Sequence, residues 1–253
     1  MKLSGTVAIF RLNNGKANAI DEAMLDTLDR LLDNVPIAGA RAAVITGYGR
    51  FFSSGLALPS LVGLDRPAMR AFINRFSEVM LKLFASPLPV VAAVNGHAIA
   101  GGCVLALMAD ARIMADGESK IGLNEVQLGI GLPASVIEPL RAQVSVAALT
   151  PIALEGRLFL PPAARSVGLV HEVVPEAELE ARAIKRAQAL GDLAPDAYAQ
   201  VKSALRRPVL DRIAAIAEAE TERWLDTWFT DAAQERIQTL VARLTAGGQD
   251  LTK

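Results

Sequence analysis

The chain has 253 residues, 52% of them hydrophobic and 21% charged, enough for a substantial core in one large domain or one domain with an appendage. A net charge of -1 gives no electrostatic footing for nucleic-acid binding, and a single cysteine excludes an intramolecular disulfide. No run reaches about 18 apolar residues and the N-terminal MKLSGTVAIFRL lacks a signal-peptide pattern, so neither a membrane span nor secretion is expected, and a reducing, cytoplasmic setting fits.

In chain order, Thr6 to Leu12 reads as a strand ended by Asn13-Asn14-Gly15. Asp21 is placed to N-cap a helix running to about Leu32, with Met24, Leu25, Leu28, Leu31 and Leu32 on one face. Ala42 to Thr46 reads as a buried strand, and residues 47–61, GYGRFFSSGLALPSL, are dense in Gly and Ser. A helix from about Pro67 to Phe84 leads to Pro87. A second buried strand, Val90 to Val94, enters the Asn95-Gly96 turn; His97 to Ala100 and the pair Gly101-Gly102 follow. The apolar segment Cys103 to Ala109 and the run Ala111 to Ala115 lead through a charged turn to Ile121-Gly122-Leu123-Asn124-Glu125. Strand and helix alternate, which predicts an α/β fold with parallel pairing.

After Pro133 the pattern turns helical, at Ala134 to Leu140, Val144 to Glu155 and Ala163 to Val167, with a last strand at Leu169 to Val174. Four helices are predicted beyond it, over 176–191, 195–206, 208–229 and 231–245. A boundary near residue 190 therefore divides a core, 1–190, from a helical region, 191–253. That region carries Trp224, Trp228, Phe229, Ile237 and Leu240. Large apolar groups added after a finished core call for something to cover them.

Three stretches carry candidate chemistry. Ser53-Ser54-Gly55-Leu56 is either a plain strand-to-helix turn or a turn that offers the Leu56 N–H to a ligand oxygen. Gly101-Gly102 has the same two readings, at a helix start where N–H groups are free. Glu125 is either a solvated surface residue or a base whose apolar neighbours raise its pKa. On the functional reading of all three, two backbone N–H groups from separate turns would form an oxyanion hole with one carboxylate beside it. Neither glycine turn is a phosphate-binding loop, and there is no GxSxG elbow. His97 and His171 stand far apart without a metal-binding partner, so no metal site is expected. Cys103 reads as a buried structural cysteine. Lys202, Arg206 and Arg207 form a basic cluster that is either a solvated face or a phosphate contact.

Several of these stretches resemble the crotonase (enoyl-CoA hydratase/isomerase) superfamily over essentially the whole chain. They are FFSSGLAL at 51–58, AVNGHAIAGGC at 93–103, DARIMAD at 110–116, IGLNEVQLGI at 121–130 and RLFLPPAARSVGLVHEVVPEAEL at 157–179. The resemblance implies a spiral of ββα turns, with two roughly perpendicular sheets, and a helical C-terminal region that forms a homotrimer or a dimer of trimers, its large apolar groups covered by neighbouring subunits. It implies an acyl-CoA thioester substrate and no separate cofactor. It implies an oxyanion hole at the N–H groups of Leu56 and Gly101, and substrate contacts around Ser54, Gly55, Ala57, Leu58, Val104, Asn124 and Lys202.

The carboxylates distinguish the reactions. Hydratases of this superfamily use two Glu residues; one matches Glu125 and the other falls on Val104. Hydration needs a base for water and an acid for carbon, and Val104 supplies neither. A double-bond shift needs one carboxylate that removes a proton and returns it elsewhere. GLNEVQLGI at 122–130, with an aliphatic residue at 104, looks like the mitochondrial-type Δ3,Δ2-enoyl-CoA isomerases; Ala57 stands where those enzymes carry Asp, which is not their proton shuttle. A hydratase, another acyl-CoA enzyme such as a decarboxylase or hydrolase, and a non-catalytic binder are the alternatives. A second carboxylate near Glu125 would favour hydration, and a Glu125 open to bulk water would favour the non-catalytic reading.

Overall fold

A computed structural model describes residues 1–37 and 39–249 of the chain. A hairpin of β1 (Lys2–Ser4) and β2 (Val7–Arg11) opens it, followed by α1 (Glu22–Ile37), β3 (Ala42–Thr46) and β4 (Phe51–Ser53). Then come α2 (Leu58–Leu61), α3 (Arg66–Ala85), β5 (Val90–Val94), β6 (His97–Ile99), α4 (Gly101–Leu107), β7 (Ala111–Ala115) and β8 (Ile121–Gly122). A 3₁₀ turn (Glu125–Leu128) leads to α5 (Ala134–Gln143), α6 (Val146–Leu149), a π turn (Thr150–Leu154), α7 (Pro161–Ser166) and β9 (Glu172–Val174). The chain ends in α8 (Leu179–Gly191), α9 (Pro195–Trp228) and α10 (Asp231–Gln249). Asp21 does start α1, its Oδ1 accepting the Met24 N–H at 2.9 Å.

Two sheets result. The larger has the order β1-β2-β3-β5-β7-β9, with only β1 and β2 antiparallel. Its inner strands β3, β5 and β7 are buried at every position, as the continuous apolar runs of covered parallel strands require. The smaller sheet is β4-β6-β8, all parallel. Its strands have three, three and two residues, too short to show a period, and the sequence reading does not resolve them. The hairpin strand β1 also escapes that reading.

Gly102 fixes how closely the small sheet and α4 approach, because a Cβ there would run into the Ser53 carbonyl. α4 is buried over its whole length and so is a central pillar of the core.

The C-terminal helices depart from expectation twice. Pro208 does not break the helix: α9 runs unbroken from Pro195 to Trp228. Pro208 sits on the exposed side, where water can serve the carbonyl left free. The turns before it are anchored by Lys202 and Arg206, which reach Asp110 at 2.7 and 2.6 Å. Second, Trp224 (4% exposed), Trp228 (0%) and Ile237 (0%) are buried within their own chain, in the main core. The expectation that they need a neighbouring subunit is corrected: α9 and α10 fold back and bury these residues themselves.

Candidate active site

Each strand of the small sheet delivers one part of the site. Because β4, β6 and β8 are parallel, their C-terminal ends share one edge. Leu56 follows β4, Gly101 follows β6 and Glu125 follows β8.

The first turn is held from below. Asn18, buried with φ of 47°, donates to the carbonyls of Phe51 and Phe52 at 3.3 Å. The Ser53 hydroxyl donates to the Asn18 carbonyl at 2.7 Å. The Ile20 N–H donates to the Gly55 carbonyl, and the Ala57 N–H to the Ile20 carbonyl. Neighbouring N–H groups of an extended chain point to opposite edges, so the Leu56 N–H faces away from Ile20. Gly55 has φ of 90°, and a Cβ on it would stand 2.8 Å from the Ile99 carbonyl and 3.0 Å from Gly101 N. Only glycine lets the two turns meet this closely.

The second turn is strained. Ala100 has φ of 50° and ψ of -122°, a left-handed conformation that costs a non-glycine residue about 1–3 kcal/mol. It turns the chain from β6 into α4, so that Gly101 opens the helix with an N–H that has no intrahelical acceptor. The Ala100 N–H to Gly122 carbonyl bond (2.9 Å) and the Val104 N–H to Ala100 carbonyl bond (3.0 Å) fix the turn.

Glu125 starts the 3₁₀ turn. The residue as a whole is half-buried, its backbone lying on a surface turn, but its carboxylate is withdrawn: Oε2 is buried with no hydrogen-bond partner. Burial raises its pKa to about 7, against a smaller lowering by its own backbone N–H. C-terminal helices brace this turn: the Gly131 N–H donates to Thr227 Oγ1 at 2.9 Å, and a Cβ on Gly129 would press on Arg236 and Ala233.

These parts face one cleft of about 110 Å³. Ser54, Leu56, Leu58, Gly101, Val104, Asn124 and Glu125 line it; Gly55 and Ala57 lie in the turn behind them. Among its described lining residues Glu125 is the only acid, and there is no Lys, Arg or His. Other walls escaped the sequence reading: Ile73 and Phe76 from α3, Val136 from α5, Trp224 and Trp228 from α9, and Leu240 from α10. An apolar stripe at helical spacing looks the same whether it meets core or ligand, so no sequence signal sets these apart.

Lys202 is a correction. It is 7% exposed and turned inward, donating to Asp110 Oδ2 at 2.7 Å and to the Leu88 carbonyl at 2.8 Å. Arg206 joins the same carboxylate at 2.6 Å and lies over the Phe84 ring at 4.1 Å. This pair ties α9 to the large sheet and is not a substrate contact. Cys103 is buried, and burial pushes its thiol pKa up. His97 lies on β6 and accepts the Lys120 N–H at 3.1 Å. Among the described residues no cluster of three His, Cys, Asp or Glu could hold a metal ion, and no helix is long and apolar enough to cross a membrane.

Known proteins are similar to this chain in sequence and in fold. The profile described as enoyl-CoA hydratase/isomerase matches residues 2–246. Human mitochondrial enoyl-CoA delta isomerase 1 is 30% identical over 241 residues, 94% of this chain and 80% of that protein. A probable enoyl-CoA hydratase of Bacillus subtilis is 29% identical over 245 residues, 94% of this chain and 93% of that one. The crystal structure of human mitochondrial delta3-delta2-enoyl-CoA isomerase superimposes with a TM-score of 0.89 at 30% identity, covering 96% of this chain and 95% of that one. The crotonase-like architecture expected from the sequence is therefore the one present.

Proposed function

Because this chain belongs to the enoyl-CoA hydratase/isomerase family, we propose that it is a Δ3,Δ2-enoyl-CoA isomerase of fatty-acid metabolism, acting on an acyl-CoA thioester with Glu125 as sole proton carrier. The observation that carries this reading is that Glu125, its Oε2 buried without a partner, is the only charged group among the described residues that line the cleft. Glu125 takes a proton from C2 of a 3-enoyl thioester. The C3–C4 electron pairs shift, and negative charge collects on the thioester oxygen as a dienolate. The N–H groups of Leu56 and Gly101 receive that oxygen, each such donor typically contributing about 3–4 kcal/mol. Protonated Glu125 then returns the proton at C4, leaving the double bond at C2–C3. A pKa of about 7 suits a group that must both accept and give back a proton.

The hydratase reading is the alternative, since the Bacillus subtilis relative, named as a probable hydratase, is about as similar as the human isomerase. Against it stands Val104, fully buried in the cleft wall where the hydratases place their other Glu. The buried Glu125 Oε2 speaks against a non-catalytic binder. The test is a panel of 3-enoyl- and 2-enoyl-CoA thioesters, with isomerisation and hydration followed separately. Isomerisation well above hydration is expected; comparable rates on crotonyl-CoA would overturn the assignment.

In this reading residues 1–190 form the catalytic spiral, the helical region beyond them serves oligomerisation, and its Trp224, Trp228 and Leu240 also wall the cleft. The enzyme works in the cytoplasm as a trimer or a dimer of trimers. The trimer contact falls to exposed apolar groups such as Val146 (83%) and Leu154 (73%), not to the two Trp. Light scattering that shows only a 26.8 kDa species at micromolar concentration would refute the oligomer.

A further inference from the structure

Trp228 closes α9, lines the cleft and is wholly buried, yet its indole Nε1–H has no acceptor among the described residues. A buried indole N–H ordinarily meets an acceptor, because burial without one forfeits the hydrogen bond it had with water. The ring is not loose: Trp224 stacks on it with centroids 5.4 Å and planes 28° apart. Proton transfer by Glu125 and oxyanion binding by two backbone N–H groups leave this donor unused.

We propose that the cleft selects an acyl chain bearing a neutral oxygen acceptor, a ketone or hydroxyl oxygen, that receives the Trp228 Nε1–H. The inference rests on the reading that an acyl-CoA chain enters this cleft. The acceptor is neutral for two reasons. Among the described lining residues there is no Lys, Arg or His to meet a second carboxylate, and Glu125 already places one there. Ile73, Phe76 and Val136 offer the acyl chain apolar surface, and against the Trp228 donor oxygen is favoured over methylene. A hydrogen bond to an otherwise bare buried donor corresponds to about fivefold to a hundredfold in affinity.

The test uses saturated acyl-CoA thioesters, which can be neither isomerised nor hydrated. Calorimetry compares a plain ester with a series of the same length carrying one keto group at successive distal positions. One position should bind at least about fivefold tighter than the plain ester, and Trp228→Phe should bring that ratio close to one. The protein has two tryptophans, so ¹⁵N labelling resolves two indole signals. The Trp228 signal should move downfield with the preferred keto ester and not with the plain one, a measurement on wild type that stands even if the variant does not fold. Equal binding at every position, a preference that survives Trp228→Phe, or a Trp228 signal that responds alike to both esters, as when water alone holds the donor, overturns the proposal. Failure of every ester to bind would instead overturn the acyl-CoA reading, and the inference with it.

Discussion

Asp110 receives Lys202 at 2.7 Å, Arg206 at 2.6 Å and the Val90 N–H at 2.7 Å, whereas Glu125 Oε2 sits buried in the cleft with no donor on it. Both carboxylates lie at the core of one chain. The first is compensated from three directions and locks α9 against β5. The second keeps its proton affinity high because nothing but its own backbone offsets the loss of water. Paired, a buried carboxylate is a fastener; unpaired and beside a cleft, it is free to serve as a base. The strained turn at Ala100 belongs with the second kind of site: its cost is borne by the packing around α4.

The contrast is sharpest if Glu125→Gln removes isomerisation without unfolding the protein. A loss of about a hundredfold or more is expected for the sole general base, with CoA-ester binding retained by calorimetry. More than about a tenth of the wild-type rate surviving would break the assignment. On the other side, Asp110→Ala strands Lys202 and Arg206 without a counter-charge and should cost roughly 3–5 kcal/mol in denaturant unfolding. A cost under about 1 kcal/mol would mean the cluster is no fastener. Lys202→Met should likewise lower stability while changing KM for the CoA ester less than about threefold, a change well under 1.4 kcal/mol; a tenfold rise in KM would restore Lys202 as a substrate contact.

A third change moves the cleft toward the paired condition. Val104→Glu brings a second carboxylate to Glu125, so each raises the other's pKa, and isomerisation should fall by roughly tenfold. Some hydration of a 2-enoyl-CoA should appear, limited because no surrounding shell is arranged to hold the water. Isomerisation at the parent rate would show that position 104 does not face the reacting carbons.

The smallest expected effects concern pH. Only ionised Glu125 can take the proton, so kcat/KM should rise with pH and bend near 7, not near the ordinary 4.5. For stability, a carboxyl whose folded pKa lies above its unfolded value holds protons more tightly when folded. It therefore contributes stability below about 4.5 that fades as pH climbs through 7. Above pH 7 the wild type carries a buried charge that Glu125→Gln lacks. The variant should then melt higher, by an amount equivalent to about 1–3 kcal/mol. A flat difference across pH 5 to 8 would say that Glu125 is solvated.

The sequence by itself determined the local chemistry. Gly55, Gly101 and Glu125 were legible because turns and helix starts are backbone properties written in adjacent residues, whereas Val104, three residues after Gly101, stood out only through the family resemblance. The alternation that marks α/β architecture was equally local in strands such as Val90–Val94. Tertiary structure decided the rest. Strands β4, β6 and β8 exist only through parallel pairing with distant partners, so two- or three-residue segments carry no signal of their own. Lys202 and the two Trp were misjudged for a related reason. A basic residue on a helix reads alike whether it faces water or Asp110, and an aromatic pair reads alike whether it waits for a neighbour or walls its own cleft. Which of these holds depends on where α9 comes to rest, and that is set by contacts with residues about a hundred positions away: Asp110 for Lys202 and Gly131 for Thr227.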